Sequence, residues 1–327
     1  MAQFIAETEK INDLEFVKLV DRKNAIQAQI IPALGNNLVS LTVGIGSKIS
    51  ELIWIPSEIK KLKDGHHQFY GNPILFPFPG RIPSGQFDFQ NQKFQVPINF
   101  EDGTAIHGFV YNKKWELSQI SDPSDRDISL KSTFRSTPAI EKFFPFPFRV
   151  EMTYTLRPFE LELSFTAENI GTKAFPFGYG IHPYFLLSGE RSDWVLYFPA
   201  EEHFELIDLL PTGNTHMVPE MFDFRKEKSL KDIYMDDLFG NLKKDTDGYT
   251  ICWIRNVKTN FKLSVISDPN FDFYVLFAPK WGPFICIEPY TCIPNAFNLA
   301  NKGISTGLRI LAPKEIFKTR ILFKIEV

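Results

Sequence analysis

Cysteine is scarce in this chain. Cys252, Cys286 and Cys292 are the only three in 327 residues. No two form a CxxC pair, so neither a disulfide framework nor a thiolate zinc site is expected, and a reducing cytoplasm is the expected compartment. Long apolar runs are missing too: none approaches 18 residues, so no membrane-spanning helix is expected. The opening Met1-Ala2-Gln3-Phe4-Ile5-Ala6-Glu7 turns charged without an apolar h-region, so no secretory signal is expected. Charge of one sign is lacking as well. Lys and Arg number 36 against 39 Asp and Glu, a formal net charge of -3, and without a basic field neither nucleic acid nor a membrane surface is expected as a partner. There is no GxGxxG or GKS/T phosphate loop, no GxSxG elbow and no HExxH, which argues against dinucleotide, P-loop, hydrolase and zincin chemistry. His66-His67 follows a charged run and reads as solvated loop rather than a metal site. No repeat or low-complexity segment divides the chain, and residues 1–327 are expected to form a single domain.

Helical periodicity is equally scarce, with Ser229 to Leu238 the one place for a turn or two of helix. Aromatics are abundant instead. Phe alone numbers 33 while Met numbers 5, and 23 Pro and 19 Gly punctuate the chain. This composition suits short strands joined by turns. Period-2 alternation bears that out at Gln86–Gln90 and Lys93–Val96, a hairpin turning at Asn91-Gln92. Phe148–Leu156 and Leu161–Glu168 are expected to pair antiparallel. Further strands are expected at Tyr249–Ile254, Phe261–Ser267, Phe273–Ala278, Phe284–Glu288 and Lys318–Val327, with candidates running from about residue 15 to the end. The fold class is all-β, a sandwich or barrel of antiparallel sheets with few helices.

Five places carry candidate chemistry. In Phe177-Gly178-Tyr179-Gly180-Ile181-His182-Pro183-Tyr184-Phe185, proline pushes His182 toward an extended conformation. A group titrating near neutrality on stiff backbone suits a proton donor; an inert, hydrogen-bonded strand histidine fits the segment as well. Phe76-Pro77-Phe78-Pro79-Gly80-Arg81-Ile82-Pro83-Ser84-Gly85 is a rigid loop with one arginine, either a donor to sugar hydroxyls or carboxylates or a plain surface residue. Ala105-Ile106-His107-Gly108-Phe109 sets a second histidine beside a glycine, again with a structural reading open. Glu288 ends the apolar run Ile285-Cys286-Ile287, where a buried carboxylate must be paired or working. Asp236-Asp237, among apolar residues, reads as a solvated loop or cap pair unless it binds a ligand.

Together these motifs resemble the aldose 1-epimerase (galactose mutarotase) family, in family order over roughly residues 30–315. They are Gly80-Arg81-Ile82 with Gly85 and Phe87, then His107-Gly108 with Trp115. His182-Pro183-Tyr184-Phe185 follows, then Asp236 with Phe239. Last come Glu288-Pro289 with Thr291, Pro294, Ala296, Phe297 and Asn298. The resemblance implies a galactose mutarotase-like β-supersandwich of large antiparallel sheets, and an isomerase that interconverts the α and β anomers of a free aldohexose without metal or cofactor. It implies Glu288 as general base on the anomeric hydroxyl and His182 as general acid on the ring oxygen. His107, Arg81 and Asp236 are implied as sugar-binding groups, with Asp236 chosen over Asp237 by its spacing to Phe239. Acid and base are expected on opposite sides of the sugar, with Phe177, Tyr179 or Tyr184 available for stacking. Gly80, Phe109 and Leu186 stand where many members have Asn, Gly and Asn, which leaves sugar specificity open. A hexose-6-phosphate 1-epimerase, using Arg135, Arg149 or Arg191 beside Arg81, and a non-catalytic carbohydrate-binding protein are the alternatives. The partner is a small-molecule sugar, and the chain is expected to be a monomer or homodimer.

Overall fold

In a computed structural model, which describes residues 2–11, 13–57 and 67–327, the chain folds into three large sheets whose ladders are all antiparallel. The first is a five-stranded meander of Phe4–Ile11, Leu14–Asp21, Ile26–Ile31, Asn37–Ile45 and Lys48–Glu51. The second has nine strands. At its centre Phe148–Arg157 pairs with Glu160–Asn169, and the C-terminal Ile316–Glu326 lies between Glu160–Asn169 and Lys262–Ser267. The third has eight strands, among them Ala200–Ile207, Met235–Leu242, Phe273–Ala278, Phe284–Tyr290 and the short Gly180–Ile181. Helix is confined to short pieces such as Pro138–Glu141, capped by the Thr137 hydroxyl, and Ala296–Ala300. This is the expected all-β architecture.

The alternation that made the strands readable also builds the core. Along Glu160–Asn169 every second residue is buried, and Leu161, Leu163 and Phe165 join one large apolar cluster with Met152, Tyr154, Ile285 and Ile287. A fully buried Phe or Leu is stabilised by roughly 1.5–3 kcal/mol relative to the exposed side chain, so one register dominates: a slip by one residue would turn every such side chain outward. Phe284–Tyr290 is buried along both faces. Ile285 and Ile287 point into the main core, while Phe284 and Cys286 belong to a separate cluster with Tyr184, next to Trp54 and Phe277. That second face carries the chemistry.

Four expectations need correction. The first strand begins at Phe4, not near residue 15: its outer face is charged, and only Phe4 is fully buried. The hairpin turns at Gln90-Asn91, both left-handed at φ 50 and 60, rather than at Asn91-Gln92. Ser229 to Leu238 is not helical. A single turn closes from Ile233 N–H to the Leu230 carbonyl, Asp232 sits at φ 57, which a right-handed helix cannot accommodate, and the strand Met235–Leu242 follows. His67 is buried, at 7% exposure, against Tyr70 instead of solvated, while His66 lies outside the described residues.

Candidate active site

The outer face of the eight-stranded sheet forms the floor of an open cleft. Period 2 decides which side chains reach it. In adjacent strands Asp236 lies opposite Phe277, and Phe277 opposite Cys286; one step along, Leu238 faces Val275 and Val275 faces Glu288. Asp236, Phe277 and Glu288 therefore share this face. Asp237 points the other way, where its Oδ1 lies 2.7 Å from His203 Nε2. The acidic pair is thus strand rather than loop or cap; Asp236 shares the face of Glu288, while Asp237, bound to His203, also lines the cleft.

Glu288 is 1% exposed. Its Oε2 accepts a 2.7 Å hydrogen bond from the Tyr290 hydroxyl, two residues on and on the same face. The Tyr290 ring lies there because Gly180 has no side chain: a Cβ at that position would be 2.5 Å from Tyr290 Cδ1. Glu288 Oε1 makes no hydrogen bond and lies 3.4 Å from His182 Nε2. Burial pushes the Glu288 carboxyl well above its ordinary range; the Tyr290 hydroxyl opposes this, the Asp236 charge adds to it, and Arg81 opposes it.

His182 follows the strand Gly180–Ile181. Its amide donates to the Pro73 carbonyl, and its ring stacks on Tyr184 with centroids 4.6 Å apart and planes 1° from parallel. Phe277 meets it edge-on at 6.0 Å and His107 at 5.4 Å. Burial pulls its pKa down to about 3, helped by the Arg81 charge, so the imidazole is neutral at pH 7. His107 occupies the left-handed region at φ 62. Its amide donates to the Gly80 carbonyl, and the Gly80 amide donates to His107 Nδ1 at 3.2 Å. Nδ1 is then the acceptor, and Nε2 carries the proton. Burial, then the neighbouring His182 and Arg81, hold His107 neutral as well. Arg81 begins the strand Arg81–Pro83, which pairs with Thr104–Ile106 and fixes arginine and His107 together. Its Nε donates to Asp102 Oδ2 at 2.9 Å, and its guanidinium lies over the Phe100 ring.

Arg81, His107, His182, Asp236 and Glu288, chosen from the sequence, all line this one cleft. His182 and Glu288 stand side by side: His182 follows the strand Gly180–Ile181, which pairs with Phe284–Tyr290, the strand that carries Glu288. One expectation changes. Of the three aromatics offered for stacking, only Tyr184 lines the cleft. Phe177 and Tyr179 are core residues, Tyr179 stacked on Phe165 at 3.8 Å. Sequence reasoning missed Tyr290 and Phe277, although Tyr290 could have been found by its two-residue spacing from Glu288. Among the described residues one grouping has metal-ligand donors in reach of one another: His182, Cys286 and Glu288, within 4.8 Å. Burial, then the Glu288 and Asp236 charges, keep the Cys286 thiol protonated, which makes it a poor ligand in this state.

The comparisons agree with this architecture. The aldose 1-epimerase family profile matches residues 18–324, and the chain belongs to that family. Uncharacterized protein YihR of Escherichia coli K12 is 26% identical over 266 residues, 78% of this chain and 82% of that protein. Galactose mutarotase of Mus musculus is 26% identical over 175 residues, covering 50% of this chain and 47% of the mouse protein. Among solved structures, a galactose mutarotase-like protein from Clostridium acetobutylicum superposes with a TM-score of 0.88 at 22% identity over 99% of both chains. Galactose 1-epimerase from Lactobacillus acidophilus superposes at 0.76 with 20% identity, over 100% of this chain and 98% of that one. At such identities the structures establish the fold, a galactose mutarotase-like supersandwich. Among the described residues no helix is long and apolar enough to cross a membrane.

Proposed function

We propose that the protein is a cofactor-independent mutarotase that interconverts the α and β anomers of a free aldohexose, with Glu288 and His182 as its proton-transfer pair. The observation that carries this reading is the 3.4 Å approach of Glu288 Oε1 to His182 Nε2 on the cleft floor. O1 and O5 of a pyranose are bonded to the same carbon, so two groups standing side by side can serve both. Ionised Glu288 takes the O1 proton, the C1–O5 bond breaks, and protonated His182 delivers its proton to O5. After half a turn about C1–C2, O5 attacks the other face of the aldehyde, returning its proton to His182 while Glu288 returns one to O1. The pair holds one proton throughout and only its location alternates. Burial disfavours both charges and so favours the neutral arrangement; the hydroxyls of a bound sugar would stabilise the charged one. The Nε2 proton of His107, the free guanidinium nitrogens of Arg81 and the Asp236 carboxylate are hydrogen-bonding groups for the remaining oxygens.

A free sugar is favoured over a sugar phosphate. Among the described cleft-lining residues Arg81 is the only lysine or arginine, and it already binds Asp102. Arg149 is bound to Glu168 on the outer surface, and neither Arg135 nor Arg191 lines the cleft. A pure binding role would leave an adjacent buried acid and base without a task. The test is polarimetry or NMR of freshly dissolved α-D-glucose and α-D-galactose. Faster equilibration with protein is expected; activity on a hexose 6-phosphate alone would replace this reading with the phosphate one.

Tyr290→Phe probes the support of the base. Loss of the hydroxyl leaves Glu288 Oε2 buried and unpaired, an expected cost of about 1–3 kcal/mol in stability. It also removes a bond that lowers the Glu288 pKa, so the alkaline limb of the kcat/KM–pH profile should move to higher pH. A profile that stays in place would show that the hydroxyl does not act on Glu288.

A further inference from the structure

The proton-transfer pair has a third neighbour that the proposed chemistry does not use. Cys286 stands two residues before Glu288, on the same face of Phe284–Tyr290. It lies opposite Tyr184, the ring on which His182 stacks, and is fully buried. Its sulfur, a His182 ring nitrogen and a Glu288 carboxylate oxygen all lie within 4.8 Å of one another. Thiolate, imidazole and carboxylate are the three donor types that zinc takes, whereas Mg²⁺ and Ca²⁺ prefer all-oxygen sets.

The spacing suits zinc as well as the chemistry does. Two ligands about 2.0–2.1 Å from one zinc ion, at a tetrahedral angle, stand about 3.4 Å apart. His182 Nε2 and Glu288 Oε1 are 3.4 Å apart. A zinc-bound sulfur would stand about 3.6 Å from each of them, so Cys286 needs to close in by little more than an ångström at most. Glu288 Oε1 is buried and makes no hydrogen bond, which leaves its lone pairs free for a cation. The Tyr290 hydroxyl holds the other carboxylate oxygen, the kind of outer support that orients a metal ligand. The fourth coordination position would face the cleft, where a water can complete the tetrahedron.

We propose that His182, Cys286 and Glu288 form an inhibitory site for a borderline-soft divalent cation, zinc above all, which silences the protein by occupying its proton-transfer pair. Hydrated Zn²⁺ gives up waters for the three side chains. The thiol proton, and the proton that Glu288 holds in the neutral arrangement, pass to the buffer, and sulfur and carboxylate bond the metal as anions. The His182 lone pair and the Glu288 charge are then committed to zinc and cannot pass a proton. Loss of turnover on zinc binding rests on the mutarotase reading above; the binding itself does not.

The experiment titrates metal into the untagged full chain, with Co²⁺ as the visible probe and Zn²⁺ as its competitor, and dialysis counts the bound ions. One ion per chain is expected, with the visible absorption of four-coordinate cobalt and a thiolate-to-cobalt charge-transfer band, both erased by zinc. Cys286→Ser should lose the charge-transfer band and bind zinc at least about tenfold more weakly. Cys292→Ser, at a buried cysteine outside the cluster, should keep both. Mutarotation, scaled for each protein to its own rate in EDTA, should fall in step with zinc occupancy, and half-inhibition should need at least about tenfold more zinc in Cys286→Ser. Circular dichroism in EDTA checks that this variant is folded, and Cys286→Ala gives the same reading if serine is not tolerated. Absence of a stoichiometric ion, a cobalt spectrum without the thiolate band, or unchanged zinc affinity in the folded Cys286 variants would overturn the site. Zinc bound with the thiolate signature while mutarotation runs at full rate would overturn the inhibition. If no free aldose is turned over even in EDTA, the mutarotase reading falls, and the cobalt spectra and dialysis still decide the metal site.

Discussion

Glu288→Gln and His182→Asn are each expected to lower kcat/KM for mutarotation at least about 100-fold, the lower end of what a positioned acid or base contributes. Gln keeps the shape of Glu288 and Asn keeps a polar group at position 182, while both remove the proton function. Gln retains an oxygen for the Tyr290 hydroxyl, and because neither side chain bridges the main core cluster, circular dichroism and unfolding midpoint should change little. The double variant should be about as slow as either single one, since two groups that pass one proton between them act as a unit and their losses do not add. Polarimetry or saturation-transfer NMR measures this against the spontaneous rate. If either single variant keeps half of its activity, or if the two losses multiply, the pair is not the catalytic unit.

In the proposed mechanism the same pair sets the pH dependence. Activity needs one shared proton. On the acid side it fails when a second proton binds, which requires charging His182 while Glu288 is already protonated; burial places that step near pH 3. On the alkaline side it fails when the last proton leaves, and burial of Glu288 places that step well above the ordinary carboxylate range. An unperturbed Glu and His, near 4.3 and 6.5, would instead give a narrow bell centred near pH 5.4. The expected kcat/KM profile is therefore flat through pH 5 and bends down only in stronger acid. A fall of about tenfold between pH 5.4 and pH 3.3, which the unperturbed pair would give, would contradict the burial-driven shifts.

How much of this was legible beforehand follows from one-dimensional pattern. Strands with one buried face, such as Glu160–Asn169, announce themselves by alternation. Ser229 to Leu238 misled because charged residues between apolar ones mimic a helical stripe, and nothing local shows that Asp232 turns left-handed. Convergence was legible only as motif order: Arg81, His107, His182, Asp236 and Glu288 are spread over more than 200 positions, and sheet pairing, not local sequence, gathers them. The choice between Asp236 and Asp237 became a matter of strand parity once Met235–Leu242 was known to pair with Phe273–Ala278. The side-by-side placement of His182 and Glu288 and the Tyr290 brace depend on which strands are neighbours, which composition and spacing do not encode.

Gly108→Ala should separate backbone geometry from mere conformational preference in the loop that holds His107. Gly108 has φ +73, and a Cβ there would lie 2.1 Å from the Phe76 carbonyl oxygen and 2.3 Å from its carbon. Those are backbone atoms, held by the Phe109 amide that donates to the same carbonyl, so they cannot swing aside. Gly103, five residues earlier, has φ +81 and nothing within 4 Å of its would-be Cβ. Both alanines bear the left-handed penalty of about 1–2 kcal/mol, partly offset by the lower entropy of the unfolded chain. Only Gly108→Ala adds a collision, so a loss of about 3 kcal/mol, high in the usual range for single substitutions, is expected against about 1 kcal/mol for Gly103→Ala, read as shifts of the urea midpoint at constant m-value. Relief of the collision must push the 107–109 loop away from Phe76 and carry the His107 ring with it. Since an ångström of misplacement can cost about 100-fold, Gly108→Ala should also lose most of its kcat/KM under conditions where it remains folded, while Gly103→Ala keeps it. Equal stability losses in the two variants would mean that the Phe76 backbone yields, and full activity in Gly108→Ala would mean that His107 is not held in place by this contact.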